Sequence, residues 1–309
     1  MVASGGVSVV YGLDNCRRFF PGIEIQTDQL SSGMCSAEVA TRDGKLGSLY
    51  QVQISQIIQY QAHLKPEYYY LTPIVDQHDV GRFRNRVMRT GMVNILKPGD
   101  QINHISARDT LTTIAKVHRS CVDRIAEKQF GRDLDKNPLP RGGLIDADLG
   151  RNLHSRIKNS IEHPDFDCHD ELLEELTIAI LSGTELSAST LREQSHLELF
   201  QQTCRLASQQ HLPASLRELA NRLDCSERTL NSVFHQFCTF SPKRYLRAIR
   251  LNKIRRELMD AADSDNISTI VLRNGIEYSG VFAAEYTKHF GEAPSKTFRK
   301  AKSVSNSPT

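Results

Sequence analysis

Residues 216–237 read LRELANRLDCSERTLNSVFHQF. Leu216, Leu219, Ala220 and Leu223 fall at i, i+3, i+4 and i+7, one face of a short helix. A polar turn, Asp224-Cys225-Ser226, follows, and then Leu230, Phe234 and Phe237 mark the buried face of a second helix. Ser226 stands where an N-cap is needed, with a side-chain oxygen for the orphan amides of the first turn. Two helices joined by so short a turn approach closely, and the small Ala220 suits that approach. The stretch therefore predicts a helix-turn-helix.

The pattern recurs downstream. Ile267, Ile270 and Val271 take the places of Leu216, Leu219 and Ala220, and Phe282, Tyr286 and Phe290 follow. Leu230 lies twelve residues before Pro242, as Phe282 does before Pro294. From Pro242 to Met259 no further Gly or Pro interrupts the chain. Tyr245, Leu246, Ile249, Ile254 and Leu258 give it an apolar face, so a connecting helix is expected. One such pattern is weak evidence, since any amphipathic helix pair imitates it. Two at matched spacing, joined by a helix, are specific.

These residues resemble a known family. Leu219-Ala220, Arg250-Leu251, Asn274-Gly275-Ile276, and Phe290-Gly291-Glu292-Ala293-Pro294 followed by Phe298-Arg299 are similar to the DNA-binding domain of AraC/XylS-type bacterial transcription regulators. The likeness spans Arg205–Lys302. Ile276 departs from the usual Phe, and Cys238-Thr239 departs from the residues usual before Ser-Pro. Arg244–Leu258 looks most like the ethanolamine-utilisation regulators of that family. The resemblance implies double-stranded promoter DNA and RNA polymerase as partners, and an activator as the role.

Charge is distributed to match. The chain of 309 residues carries +3 overall. Residues 205–302 hold 17 Lys/Arg against 10 Asp/Glu (+7), which leaves 22 against 26 (−4) in the remainder. A basic end on an acidic body suits one-ended approach to a polyanion. The seven cysteines, Cys16, Cys35, Cys121, Cys168, Cys204, Cys225 and Cys238, are odd in number and contain no C-x-x-C. That argues against a disulfide framework and for a reducing cytoplasm. No apolar run approaches the ~18 residues of a membrane span, and no signal-peptide pattern opens the chain.

The expected class is α+β, in four parts: a β-domain at 1–130, a linker and helical segment at 131–190, the tandem helix-turn-helix domain at 191–302, and a disordered tail at 303–309. Residues 1–33 are mixed and say little. Tyr50, Val52 and Ile54 alternate with glutamines, as do Ile58, Tyr60 and Ala62, which indicates half-buried strands. Tyr68–Leu71, Val87–Leu96 and Thr110–Val117 add three more. The turn Leu96-Lys97-Pro98-Gly99-Asp100, with the strands around it and a helix at Arg119–Gln129, is similar to the cupin-like effector domain of AraC-type regulators. Gly131–Gly150 reads as an exposed loop or hinge. Two apolar helical faces follow, Leu149-Leu153-Ile157-Ile161 and Leu172-Leu173-Leu176-Ile180-Leu181. They either cover the β-domain or join two copies into a homodimer. Leu191–Gln210 should be the helix that opens the DNA-binding domain.

Enzyme motifs are absent: no G-x-G-x-x-G, Walker loop, H-E-x-x-H or G-x-S-x-G. The self-methylating DNA-repair activators share the helical module, but they need a four-cysteine zinc site and a Pro-Cys-His nucleophile, and this chain has neither. His63, His78 and His104 are scattered, which argues against a cupin metal, and no cofactor is expected. Asp165, Asp167, Cys168, His169 and Asp170 fit no ligand pattern and read as a polar interhelix loop.

In the first unit the buried face leaves Glu227, Arg228, Asn231, Ser232 and His235 for bases, and the family motif singles out Arg228, Asn231 and Ser232. In the second, Ser279, Gly280, Ala283 and Ala284 face the groove, so little base reading is expected there. Lys288, His289, Lys296 and Arg299 are the expected phosphate contacts. A small-molecule effector is expected among Tyr50, Val52, Tyr60 and Tyr69, responding through the β-domain. The alternative is a β-domain that only docks a protein partner. Removal of residues 1–185 is expected to abolish the effector response and leave DNA binding.

Overall fold

The alternation of Gly47–Ile54 builds a strand whose two faces meet different partners. The structure is a computed structural model that describes residues 5–11, 24–73, 82–83, 86–87, 92–137, 139, 144–145, 147–163, 169–182, 191–209, 212–238, 240–262 and 264–305. Cys16, His78, Pro138, Pro140, Gly142-Gly143, Asp165, Asp167 and Cys168 lie outside these residues. So do residues 88–91 of the strand expected at Val87–Leu96. The chain divides into two units. No described helix is long and apolar enough to cross a membrane.

The first unit takes residues 1–27, 36–55 and 60–188. Its strands are β1 (Gly5–Tyr11), β2 (Glu24–Gln29), β3 (Ser36–Asp43), β4 (Gly47–Ile54), β5 (Ile58–His63) and β6 (Tyr68–Pro73). They continue with β7 (Arg82–Phe83), β8 (Arg86–Val87), β9 (Met92–Leu96), β10 (Gln101–Ile105), β11 (Thr110–His118) and β12 (Leu144–Ile145). One sheet runs β1-β3-β4-β11-β6-β9-β12 and the other β2-β5-β10-β7-β8. The last residues of β2 and the first of β5 belong to the second unit. The strands β1 and β2 lie in the stretch where the sequence was mute.

Helices α1 (Arg119–Phe130), α2 (Ala147–Glu162) and α3 (His169–Ser182) cover one face of the larger sheet. Leu49, Tyr69, Leu71, Val93, Ile95, Ala115 and Val117 meet Ile125, Leu153, Ile157, Leu172 and Leu176 there. Leu153 and Ile157 of α2 and the apolar face of α3 are thus spent on this core and are not bare for a second copy. Leu134 and Leu139 are buried in the same core, so residues 131–150 are not simply an exposed hinge. Leu134 and Leu139 give that stretch something to bury. His169 and Asp170 anchor α3 to the β3–β4 turn, through Gly47 O at 3.2 Å and Leu46 N at 3.0 Å. The turn after β9 forms as expected, with the Lys97 amide donating to Asp100 Oδ2 at 2.7 Å.

The second unit takes residues 189–309 together with Asp28–Cys35 and Gln56–Gln59. Its helices are α4 (Leu191–Ala207), α5 (Leu216–Arg222), α6 (Glu227–Phe237), α7 (Pro242–Met259), α8 (Ile267–Arg273), α9 (Gly280–Phe290) and α10 (Pro294–Ser305). The connecting helix has the expected bounds, opened by Pro242 behind the N-cap Ser241. Residues 303–305 continue α10, so the part of the expected tail that is described is helical. Two aromatic cores form. Phe200 of α4 packs on Phe234 and Phe237, and Phe234 on Tyr245. Leu251, Ile254 and Leu258 meet Ile270, Val271, Phe282, Tyr286 and Phe290.

The two early segments complete this unit through buried polar bonds. The Gln29 amide donates to Asn252 Oδ1 at 2.9 Å, and Asn252 Nδ2 donates to Gln29 O at 2.8 Å. His289 Nε2 donates to Gln29 O at 2.9 Å, and the Gly33 amide donates to His289 O at 3.1 Å. Tyr245 Oη donates to Gln59 Oε1 at 2.8 Å, and Arg256 pairs with the fully buried carboxylate of Asp28. The C-terminal unit is therefore discontinuous in sequence, and the boundary near residue 190 captures only its larger part.

Candidate nucleic-acid interface

Helices α5 and α6 are joined by residues 223–226, and Asp224 in that turn takes a left-handed φ of 47°. Ser226 caps α6, its Oγ accepting from the Thr229 amide at 3.0 Å. Leu230, Val233, Phe234 and Phe237 are buried, while Glu227, Arg228, Asn231, Ser232 and His235 are all exposed. The spacing 228, 231, 232, 235 is one helical face, so one polar stripe faces outward from the start of the helix. Asn231 Nδ2 donates to Glu227 O at 2.8 Å, a back-bond that an adenine edge would have to replace.

The second helix pair differs in its turn. Residues 274–279 join α8 to α9, two more than in the first pair, and Gly275 supplies the left-handed φ of 72°. Ser279 caps α9 through the Phe282 amide at 3.4 Å. The buried side is Phe282, Tyr286, His289 and Phe290. Gly280, Val281, Ala284, Thr287 and Lys288 are exposed, and Ala283 is half-buried. Val281, 80% exposed, is the side chain the sequence reading overlooked. The Thr287 hydroxyl donates to Ala283 O at 2.7 Å. Glu285 pairs with Arg247, Arg247 Nε donating to Oε1 at 2.7 Å, and this ion pair holds the carboxyl below the ordinary carboxylate pKa.

Ion pairing sorts the remaining cations. Arg222, Arg247, Arg255, Arg256, Arg273 and Lys300 are engaged by carboxylates within the unit. Lys288 and Lys296 are exposed, as is Arg299, whose Nε donates to Ser295 O at 3.2 Å. His289 departs from the expectation of a phosphate contact. It is 6% exposed and hydrogen-bonded to Gln29, and burial holds its imidazole below the ordinary value despite that bond. Arg217 and Lys243 are exposed cations that the motif comparison passed over.

The residues expected around an effector separate by strand parity. Tyr50 and Val52 of β4 lie on the sheet face opposite Leu49, away from α1–α3. Tyr60 stacks on His104 of β10, ring centroids 6.1 Å apart. Tyr69 faces the other way, into the core with the helices, where burial raises its phenol to about 12. The β6 residues on the same sheet face as Tyr50 and Val52 are instead Tyr68 and Tyr70. Three successive tyrosines offer no alternation to choose from, and a one-residue slip reverses the face.

Comparison with known proteins bears on the second unit. Residues 219–300 match the family described as "Helix-turn-helix domain". The XylDLEGF operon transcriptional activator of Pseudomonas putida is 38% identical over 89 residues, 28% of each chain. The HTH-type transcriptional activator RhaS of Pectobacterium carotovorum is 37% identical over 76 residues, 25% of this chain and 26% of its own. The chain thus matches little more than a quarter of the length of these relatives. Among solved structures, the AraC-like transcriptional activator CuxR aligns over 88% of this chain and 100% of its own at 14% identity, with a TM-score of 0.34. Residues 219–300 form a helix-turn-helix domain related to those of transcriptional activators.

Proposed function

We propose that this protein is a sequence-specific DNA-binding transcription regulator of the AraC/XylS type. In this reading it is an activator that works in the cytoplasm with RNA polymerase and responds to a small molecule held by its β unit. The observation that carries the proposal is the face of α6. Arg228, Asn231, Ser232 and His235 stand exposed in one stripe, on a helix fixed from behind by Leu230, Val233, Phe234 and Phe237. A recognition helix presents its N-terminal residues to the major groove. Arg228 suits guanine O6 and N7, and Asn231 suits adenine N6 and N7, each worth about 1–3 kcal/mol of discrimination.

The two helix pairs then act as tandem helix-turn-helix units with α7 as spacer. Lys288, Lys296 and Arg299, with Arg217 and Lys243, supply phosphate contacts, which position without reading sequence. The two sheets of the first unit form the cupin-like effector domain. A homodimer would have to use a surface other than the apolar faces of α2 and α3. The ethanolamine-utilisation type is the subgroup to which Arg244–Leu258 points. Footprinting of the full chain on its own upstream DNA should show protection of a defined site. Arg228→Ala should then lose sequence preference at one base pair of that site. Unchanged affinity and preference in that variant would refute the role given to α6.

A further inference from the structure

Strand parity places an unusual group on the inner face of the larger sheet. Side chains alternate across a strand, so Val117, Ala115 and Tyr69 face the helices while Lys116, Ile114, Tyr68 and Tyr70 face the other sheet. Lys116 is directly opposite Tyr70 on β6 and opposite Ser48 on β4, and Tyr50 is opposite Ile114. The tyrosines Tyr50, Tyr68 and Tyr70 thus gather around one ammonium. The bed beside them is aliphatic: Leu64, Leu96 and Tyr70 are buried together, with Tyr68, Ile102 and Ile114 packed against them.

Two donors in this group lack a hydrogen-bond acceptor among the described residues. Tyr70 is 5% exposed, and its hydroxyl has no hydrogen-bond partner among the described residues. Lys116 is half-buried, its Nζ lies 4.0 Å from the centroid of the Tyr68 ring, and it makes no ion pair among the described residues. Burial pulls this ammonium below its ordinary pKa; Asp43 and Glu67 push back, and Lys65 adds to the lowering. An unpartnered buried hydroxyl and a desolvated cation are both costly in a folded protein, and both costs fall if an anionic acceptor arrives. Position in the fold narrows the choice. A cationic ligand would meet Lys116. A sugar would find aliphatic side chains where its hydroxyls need partners. A phosphate ester would bring two charges to a single ammonium.

We propose that Lys116 and Tyr70 form the head-group clamp of the effector site, taking an organic carboxylate whose apolar body lies on Leu64, Leu96, Ile102 and Ile114. This rests on the reading of the β unit as an effector domain and names the class of its ligand. The Lys116 ammonium and the Tyr70 hydroxyl each donate to a carboxylate oxygen, and the Tyr68 ring holds the lysine in place.

The test uses the full chain and four probes: 4-phenylbutanoate, octanoate and their neutral carboxamides. Calorimetric titration should show the acids binding at least about tenfold more tightly than the amides, as expected where a charged hydrogen bond is made. Lys116→Met should remove that preference and leave amide binding unchanged. Tyr70→Phe should weaken the acids by about tenfold. Without ligand, it should melt no lower than the parent, because the hydroxyl it removes has no partner to lose. Amides binding as well as acids, Lys116→Met retaining full acid affinity, or no acid binding at all would each overturn the clamp. A bound acid that leaves DNA affinity unchanged would sink the effector reading instead, with the clamp standing.

Discussion

Glu292 shows how much one buried carboxylate can hold. Its side chain is 7% exposed and Arg255, its partner at 2.9 Å, is 6% exposed. Lys300 Nζ reaches the other oxygen at 2.6 Å, and Thr297 Oγ1 donates to Oε1 at 3.1 Å. Tyr286 Oη donates to the same threonine at 3.0 Å, so the network ties α9, α10 and α7 together. Burial pushes the Glu292 carboxyl up, but Lys300 and Arg255 more than cancel this and hold it below the ordinary value. Its contribution is thus present above pH 4.5 and lost as pH falls through the lower folded value. Glu292→Ala would leave the Arg255 guanidinium buried without its anion, a loss of about 3–5 kcal/mol. The exposed pair Arg222–Glu218 is the control, whose removal should leave stability almost unchanged. Denaturant-dependent hydrogen exchange in peptides covering 242–259 and 280–300 would read the loss within this unit alone. The double replacement Arg255→Met, Glu292→Leu should recover most of it, since a packed apolar pair dispenses with both desolvation costs. A Glu292→Ala loss no larger than the Arg222→Ala control would refute the reasoning. So would a double variant as unstable as the sum of the singles.

Other expectations concern DNA and pH. Base-by-base mutagenesis of a mapped site should show strong losses confined to the half read by α6, because the exposed face of α9 offers only Gly280, Val281, Ala284, Thr287 and Lys288; equal losses in both halves would contradict this. Lys296→Ala with Arg299→Ala should weaken all sequences alike and lower the salt slope by up to about 2, measured by titration at several salt concentrations. Burial depresses the pKa of His289 below 6.5, so the unfolded chain binds the proton first and stability should fall as pH drops below 6.5. His289→Gln should flatten that slope in exchange of the 280–290 amides. Gly291 has φ 74°, and a Cβ there would meet Met34 Cβ at 2.8 Å; Gly291→Ala should destabilise by more than about 1 kcal/mol, read as a lower melting temperature.

What the sequence disclosed follows the range of the interactions involved. The helix α7 was legible because its start is local: Ser241, then Pro242, then an uninterrupted apolar face. The stripe on α6 was legible because Ser226 fixes the first turn and the buried positions follow by period. The register of α9 was less so. Its longer turn puts the cap at Ser279 and turns Val281 outward, which a fixed count back from Pro294 does not show. Strand β2 was unreadable for a different reason. Its residues Thr27, Asp28 and Gln29 are polar yet buried, and the Asn252 and Arg256 that satisfy Gln29 and Asp28 lie more than two hundred positions away. His289 deceives in the same way: a basic residue at a helix end suggests phosphate, while Gln29, 260 residues distant, holds it in the core.

The discontinuous second unit has a consequence for synthesis. Gln29 and Asn252 are 223 residues apart, and Gln29 and His289 are 260 apart. At ribosomal rates of about 5–20 residues per second, Gln29 emerges roughly 10–45 s before Asn252 is made. Throughout that interval the backbone of residues 28–35 and the carboxylate of Asp28 stay hydrated, since burial before Asn252, Arg256 and His289 arrive would strand them. The α4–α10 bundle is thus completed by residues made more than two hundred positions ahead of their partners. A chain cut anywhere between residues 60 and 188 hands each fragment an incomplete ledger of hydrogen bonds. Slow synthesis should be tolerated by the β-sheets, whereas the helical bundle reaches its full protection only after His289 has emerged.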